Sequence, residues 1–227
     1  MSNQTGKLSI VATPIGNLED ITYRAVRTLS ECDYVLCEDT RVTGVLLKHY
    51  RIGAKLKRYD AHASDAVHER VLADLVAGQH VALVSDAGTP GVSDPGVRLV
   101  SQVRAMSEVV IEAIPGPSAL TAALSIAGMS GNQFSFLGFV PHKKGRQTFF
   151  AGVAEYRHPV IFFESTHRIT KTITSISELY PEYVLTIARE LTKLHEEVIV
   201  GTPAEVLAVL EKEPVKQKGE FVVILHG

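Results

Sequence analysis

Apolar residues fall along this chain in short dense runs, separated by stretches in which they recur every three or four positions. The run at 8–13, Leu-Ser-Ile-Val-Ala-Thr, reads as a strand, and Ile21 to Leu29 follows with helical spacing. This β-then-α order repeats to the end of the chain. Runs at 33–37, 81–85, 109–114, 133–139, 159–163, 183–188 and 220–225 predict further strands, and 66–76, 119–126, 169–179 and 204–210 predict amphipathic helices. Strands that are apolar without strict alternation are buried on both faces, and amphipathic helices supply the cover. The pattern therefore predicts an α/β fold with largely parallel sheets. The densest turn punctuation after a strand is Pro115-Gly116-Pro117-Ser118, after which the alternation starts afresh, so two domains are expected, 1–116 and 117–227.

A chain of 227 residues can bury such cores without disulfides, and its only cysteines, Cys32 and Cys37, flank one predicted strand without forming a Cys-x-x-Cys pair. Both read as core thiols in a reducing compartment. Met1 to Lys7 is a polar lead-in with no signal-peptide core, and no later run is long enough to span a membrane, so a soluble cytoplasmic protein is expected. A net charge of −2 argues against nucleic-acid binding by a global positive field. Two local basic clusters remain: Lys48, Arg51, Lys55, Lys57 and Arg58, and then His142, Lys143, Lys144 and Arg146. Each is either a solvated face or a contact for an anionic partner.

Ligands of open α/β sheets sit beyond the carboxyl ends of strands, so the loops there carry the chemistry. The first, Thr13-Pro14-Ile15-Gly16-Asn17, has neither the Gly-x-Gly-x-x-Gly of a dinucleotide fold nor a phosphate loop. Glu38 and Asp39 follow the next strand where a nicotinamide enzyme keeps its ribose carboxylate, but the missing glycines count against that class, and the pair equally suits a helix start. The second loop, Ser85 to Gly96, combines Asp86, Gly88, Thr89, Pro90, Gly91, Asp94, Pro95 and Gly96 into a rigid wall. Part of it can be a helix start from Pro95 with Asp94 as N-cap, yet its length exceeds what a connection needs and favours a ligand role. The third, Pro115 to Ala119, opens a helix rich in small residues, with Ser118 as either cap or contact. Three such loops without a phosphate motif suggest a nucleoside ligand lacking phosphates. There is no Gly-x-Ser-x-Gly elbow, no His-Glu-x-x-His and no zinc spacing, so hydrolase and metalloenzyme classes recede and no metal is expected.

With Phe163-Glu164-Ser165-Thr166-His167-Arg168 and Ala188-Arg189-Glu190-Leu191-Thr192-Lys193, the segments Ala12 to Leu18, Glu38 to Arg41 and Ser85 to Pro90 resemble the tetrapyrrole methylase superfamily. Within it they look like the ribosomal RNA small subunit methyltransferase I branch, and the resemblance spans Leu8 to Gly227. It implies S-adenosylmethionine as cofactor, 2′-O-methylation of a decoding-region cytidine ribose in small-subunit ribosomal RNA, and a homodimer. Relatives in the superfamily methylate porphyrin-like rings or a modified histidine precursor. Branch members usually continue past the last strand into a small helical domain, where this chain ends at Phe221 to Gly227, and a His-x-His-Asn-Glu segment of the branch stands here as Asp60-Ala61-His62-Ala63-Ser64. Both departures bear on RNA docking more than on cofactor binding.

The resemblance further implies a cofactor cleft between the two halves, walled by Pro14, Ile15 and Gly16, by Asp86, Gly88 and Thr89, by Ser118 and Ala119, and by Phe163, Ala188 and Glu220. Substrate contacts fall to Arg41, Lys143, Lys144 and Arg146. Glu164, His167, Arg168 and Lys193 are the candidates for the base, or the charge, that activates a ribose hydroxyl. They also have structural roles open to them: Arg168 and Lys193 can pair with Glu164 or Glu190, and His167 can cap a helix. Methylation of a tetrapyrrole or other small molecule, which needs neither basic cluster, and a non-catalytic cofactor- or ribosome-binding module are the alternatives.

Overall fold

The computed structural model of the chain describes residues 5–92, 96–129 and 131–227. They form two compact units, Met1–Ser118 and Ala119–Gly227. In the first, β1 (Gly6–Val11), α1 (Tyr23–Glu31), β2 (Tyr34–Cys37), α2 (Thr40–His49), β3 (Lys55–Arg58), α3 (Asp65–Val76), β4 (His80–Val84), α4 (Val97–Arg104) and β5 (Val109–Ile114) follow in strict alternation. The five strands make one sheet of order β3-β2-β4-β1-β5, parallel throughout.

Both faces are covered, and the alternation of side chains along each strand divides the core in two. Leu8, Leu36, Val81 and Leu83 pack with Val71 and Leu75 of α3 and Leu99 and Val103 of α4. Val11, Val35, Cys37, Ala82 and Val84 pack with Ala25 and Leu29 of α1 and Leu47 of α2. Cys32 and Cys37 are buried and unbridged, and burial pushes the Cys32 thiol up to about 11. The division follows from topology. Right-handed crossovers that step from β1 towards β3 place α1 and α2 on one face, and those that step back towards β5 place α3 and α4 on the other. Adjacent strands β1 and β4, level at Val11 and Val84, thus send their connections to opposite faces. Their carboxyl ends form the switch point at which such sheets open a crevice.

The second unit runs α5 (Ala119–Ile126), β6 (Ser135–Phe139), α6 (Arg146–Val153), β7 (Val160–Ser165), α7 (Ile169–Leu179), β8 (Val184–Arg189), β9 (Glu197–Gly201), α8 (Pro203–Lys212) and β10 (Glu220–His226). Its sheet has the order β6-β7-β10-β8-β9, and here the expectation of largely parallel pairing fails. Only β6 and β7 are parallel; β10 is antiparallel to both β7 and β8, and β9 to β8. A short connection joins β8 to β9 and permits only a reversal, while β10 inserts between strands that the pattern shows merely as successive. Phe162, Phe221, Val223 and Ile187 face a core shared with α6, α7 and α8.

Helix α6 and strands β3 and β9 went unpredicted, whereas α2 begins at the helix start that Glu38 and Asp39 suggested, with Asp39 as its N-cap. Strand β3 is Lys-Leu-Lys-Arg at a sheet edge, where one inward Leu56 suffices and charge discourages further pairing. Asp94 and Pro95, read as a helix start, and the lead-in residues Met1 to Gln4 lie outside the described residues. Among the described residues no helix is long and apolar enough to cross a membrane, and no His/Cys/Asp/Glu group is arranged to hold a metal ion.

Candidate functional site

At the switch point the loops after β1, β4 and β5 are tied to one another. Thr13 and Gly88 exchange both backbone hydrogen bonds, Thr13 N–H to Gly88 O at 2.9 Å and Gly88 N–H to Thr13 O at 3.0 Å. The Thr13 hydroxyl donates to Ser85 O at 3.0 Å, and that of Thr89 to Pro117 O at 3.1 Å. Gly88 has φ +81°, a left-handed backbone, and a Cβ there would meet Ile15 Cγ2 at 3.4 Å and Pro117 O at 3.8 Å. The glycine therefore serves the packing of the loops, and a valine at 88 would strain them whether or not a ligand comes near. Pro14, Ile15, Gly88 and Pro90 are buried beneath exposed Gly16, Asp86 and Ala87. Thr13 is the member of this knot that the sequence reading passed over; its place directly after an apolar strand was the available signal.

The crevice is acidic. Ser85 Oγ donates to Glu38 Oε1 at 3.3 Å, Asp86 Oδ1 accepts from Asp39 N–H at 3.0 Å, and Arg41 hydrogen bonds hold the Asp39 carboxyl down at about 2. Carboxylates and an absent phosphate motif disfavour phosphates and suit a ligand with positive charge. Arg41, expected on the substrate, spends its guanidinium on Asp39, with Nη2 to Oδ2 at 2.6 Å, while its side chain remains 90% exposed.

The second unit gathers its motifs at one end of its sheet. Phe163, Val222 and Ala188 lie side by side in register on one face, as do Ser165 and Glu220 in the neighbouring row. Phe163 sits edge-on to Phe136 and Phe139. On the opposite face Glu164, whose side chain is 0% exposed, receives Arg168 Nη2 at 2.7 Å on Oε1 and the Thr172 hydroxyl at 2.6 Å on Oε2. The Ser165 N–H donates to Oε1 at 2.8 Å.

Arg146 completes this cluster and overturns its reading as part of an exposed basic loop. His142, Lys143 and Lys144 are exposed, but Gly145 turns the chain at φ +87° into α6 and sends Arg146 inward. Its Nη1 lies 3.8 Å from Glu164 Oε2, its Nη2 donates to Thr172 Oγ1 at 2.8 Å, and only 9% of the residue is exposed. Burial pulls its pKa below the ordinary arginine value, with Glu164 opposing. In the other basic stretch Lys57 pairs with Asp74 and lies over the Tyr34 ring, and Arg58 pairs with Asp60, which leaves Lys48, Arg51 and Lys55 as its exposed unpaired charges among the described residues.

Lys193 bridges Glu190 at 2.9 Å and Glu220 at 2.8 Å. Burial alone would lower its pKa, but the two carboxylates outweigh burial and raise it. The loop that carries it is held in sparsely populated backbone, with Glu190 at φ 50° and Thr192 at φ 64°. Arg189, quoted in its motif but given no role there, fixes that loop: Nε donates to Lys218 O, Nη1 to His195 O and Nη2 to Val215 O. His167 does not cap α7; it is exposed, with no hydrogen-bond partner among the described residues. Ser118 and Ala119 stand where the chain passes from the first unit to the second.

Fold and loops together define a class: two-sheet α/β proteins whose first sheet opens, at its switch point, a crevice lined by loops without a phosphate-binding motif. Solved structures share the build, among them a diphthine synthase (TM-score 0.75, 14% identity, 97% of this chain and 90% of that one). Another is the uroporphyrin-III C-methyl transferase of Thermus thermophilus complexed with S-adenyl homocysteine (0.66, 19%, 97% of each). At such identities they speak for fold alone. The chain belongs to the family of tetrapyrrole (corrin/porphyrin) methylases, whose sequence profile matches residues 7–207. It is a methyltransferase that draws its methyl group from S-adenosylmethionine. Among curated relatives, the ribosomal RNA small subunit methyltransferase I of Thermotoga maritima is 43% identical over 98% of this chain and 99% of its own length. Those of Neisseria meningitidis serogroup A and Escherichia coli O157:H7 are 44% and 42% identical, covering 97% and 99% of this chain and 76% and 79% of theirs.

Proposed function

We propose that this protein methylates the 2′-oxygen of a cytidine ribose in the decoding region of small-subunit ribosomal RNA. The observation that carries this reading is identity above 40% along nearly the whole chain to proteins named for that RNA, in organisms as distant as Thermotoga and Neisseria. In this reading the protein works in the cytoplasm on ribosomal RNA or the small subunit; the homodimer rests on family resemblance.

We assign the cofactor to the crevice of the first unit, against Pro14, Ile15, Gly16, Asp86, Gly88 and Thr89. Two features support the fit: exposed loop backbone over a rigid buried base, and carboxylates of Glu38 and Asp86 suited to a cationic ligand. Bound there, S-adenosylmethionine supplies an electrophilic methyl on a sulfonium. The ribose hydroxyl that takes this methyl group would have to give up its proton, and that is where residues of this chain would act. Of the four candidate residues, Glu164 has both oxygens engaged and Lys193 holds its proton more firmly than usual. Lys193 and Arg168 therefore contribute charge, and exposed His167 is the residue able to accept the proton, a role that typically contributes ~10²–10⁴-fold.

The test is to supply labelled cofactor with small ribosomal subunits lacking the modification, or with uroporphyrinogen III, and to digest the RNA to nucleosides. Label is expected in 2′-O-methylcytidine. Label in the macrocycle, or in a methylated base, would refute the reading.

A further inference from the structure

The buried cluster at the carboxyl end of β7 carries one more positive charge than negative. Glu164 brings one carboxylate, and two guanidiniums face it, Arg168 at 2.7 Å and Arg146 at 3.8 Å. The carboxylate is bonded at both oxygens: Oε1 accepts from Arg168 and the Ser165 N–H, and Oε2 from Thr172. Arg168 is not. Its Nη2 is on Glu164 and its Nε reaches Ser165 Oγ at 3.4 Å, but its Nη1 is buried without an acceptor among the described residues. The carboxylates nearest in the sheet, Glu190 and Glu220, are both taken by Lys193. A half-used guanidinium fork in a low-dielectric setting is costly to leave and is matched by a planar or tetrahedral anion. Arg168 keeps 16% of its side chain exposed while Nη1 itself is covered, so an anion arrives at the exposed part of the side chain and meets Nη1 only as the guanidinium turns outward.

Resting on the ribosomal RNA reading above, the geometry points to Arg168 as an anchor for an RNA phosphodiester beside the reacting ribose. Arg146 is a positioning residue: through Thr172 and Glu164 it holds the carboxylate that aims the Arg168 fork. Arginine rather than lysine suits this task, because one nitrogen can stay on Glu164 while the other meets the phosphate.

Dimethyl phosphate, a minimal phosphodiester, is the probe. Titrated into the unaltered protein, it is expected to move the Arg168 side-chain ¹H–¹⁵N signals saturably and, read from the backbone amides of Ser165 to Ile169 in every variant, to lose saturable binding in Arg168→Lys and to bind several-fold more weakly in Arg146→Lys. In methyl transfer to small subunits, Arg168→Lys should raise KM by about 10- to 100-fold, more than it lowers kcat, because the contact exists before and during reaction. A purely structural arginine would lower thermal stability without that KM shift. Arg168 signals that stay still up to tens of millimolar (about 50 mM) would mean that water alone meets Nη1 and would overturn the proposal. Saturable phosphate binding by a protein that nevertheless fails to methylate small subunits would uphold the anion site and refute the RNA reading instead.

Discussion

The Glu190–Lys193–Glu220 bridge shows how single residues here act through their neighbours. Burial works against the Lys193 charge, yet two carboxylates under 3 Å away raise its pKa, and the same contacts, with the Glu220 N–H, lower that of Glu190 against burial. The signs define a window. Lys193, raised, contributes fully below the ordinary lysine value of about 10.4 and loses its contribution as pH climbs through the raised one. Glu190, lowered, contributes fully above about 4.3 and loses its contribution as pH falls through the lowered value. Between those limits the loop is held shut on both sides. In Lys193→Met the Glu190 carboxyl pKa should therefore rise, since burial then acts with only the Glu220 N–H and the Arg189 charge opposing it. Carbon-13 carboxyl titration reads this directly, and an unchanged value would mean that the pair does not form.

At the scale of elements, the loops after β1, β4 and β5 behave as one object because Thr13, Gly88, Thr89 and Pro117 bond across them. Gly88 and Gly91 are both left-handed, at φ +81° and +86°, but a Cβ at 91 meets nothing within 4 Å while one at 88 touches Ile15 Cγ2 at 3.4 Å. Alanine at either position should cost roughly 1–2 kcal/mol for the backbone alone. Gly88→Ala should cost more than Gly91→Ala, because the backbone at 88 cannot relax its positive φ without giving up the two hydrogen bonds to Thr13, and urea denaturation of the pair measures the difference. A smaller loss at 88 would contradict the packed knot. Cofactor affinity is then informative only at equal folded fraction, since this glycine supports the wall rather than clearing space in front of it.

For the whole molecule, a net charge of −2 leaves RNA affinity to local patches. Arg146 has left the 142–146 patch for the interior, so the solvent-facing pair is Lys143 and Lys144. Alanine at both should weaken RNA binding and flatten the log–log salt dependence by about 1.5, two contacts at roughly 0.7–0.9 each. Cofactor affinity should hold. Fluorescence anisotropy across a salt series checks this, and superimposable slopes would return the loop to ordinary solvated surface.

Much of this protein was legible from residue order alone. Apolar runs and helical spacing marked most of the elements, because burial on two faces leaves strands almost without polar residues, as at Val81 to Val84. Turn chemistry marked the crevice loops, because only glycine, proline and short polar side chains suit such backbones. What sequence left open was every property that depends on which strand lies beside which. The antiparallel insertion of β10 brings Phe221 beside Glu164 and Arg189 and sets Glu220 within reach of Lys193, although these residues lie far apart in the chain. One glycine turn decides that Arg146 serves a buried carboxylate instead of an RNA strand. Periodicity records how much of a residue is covered; only the tertiary fold determines by what.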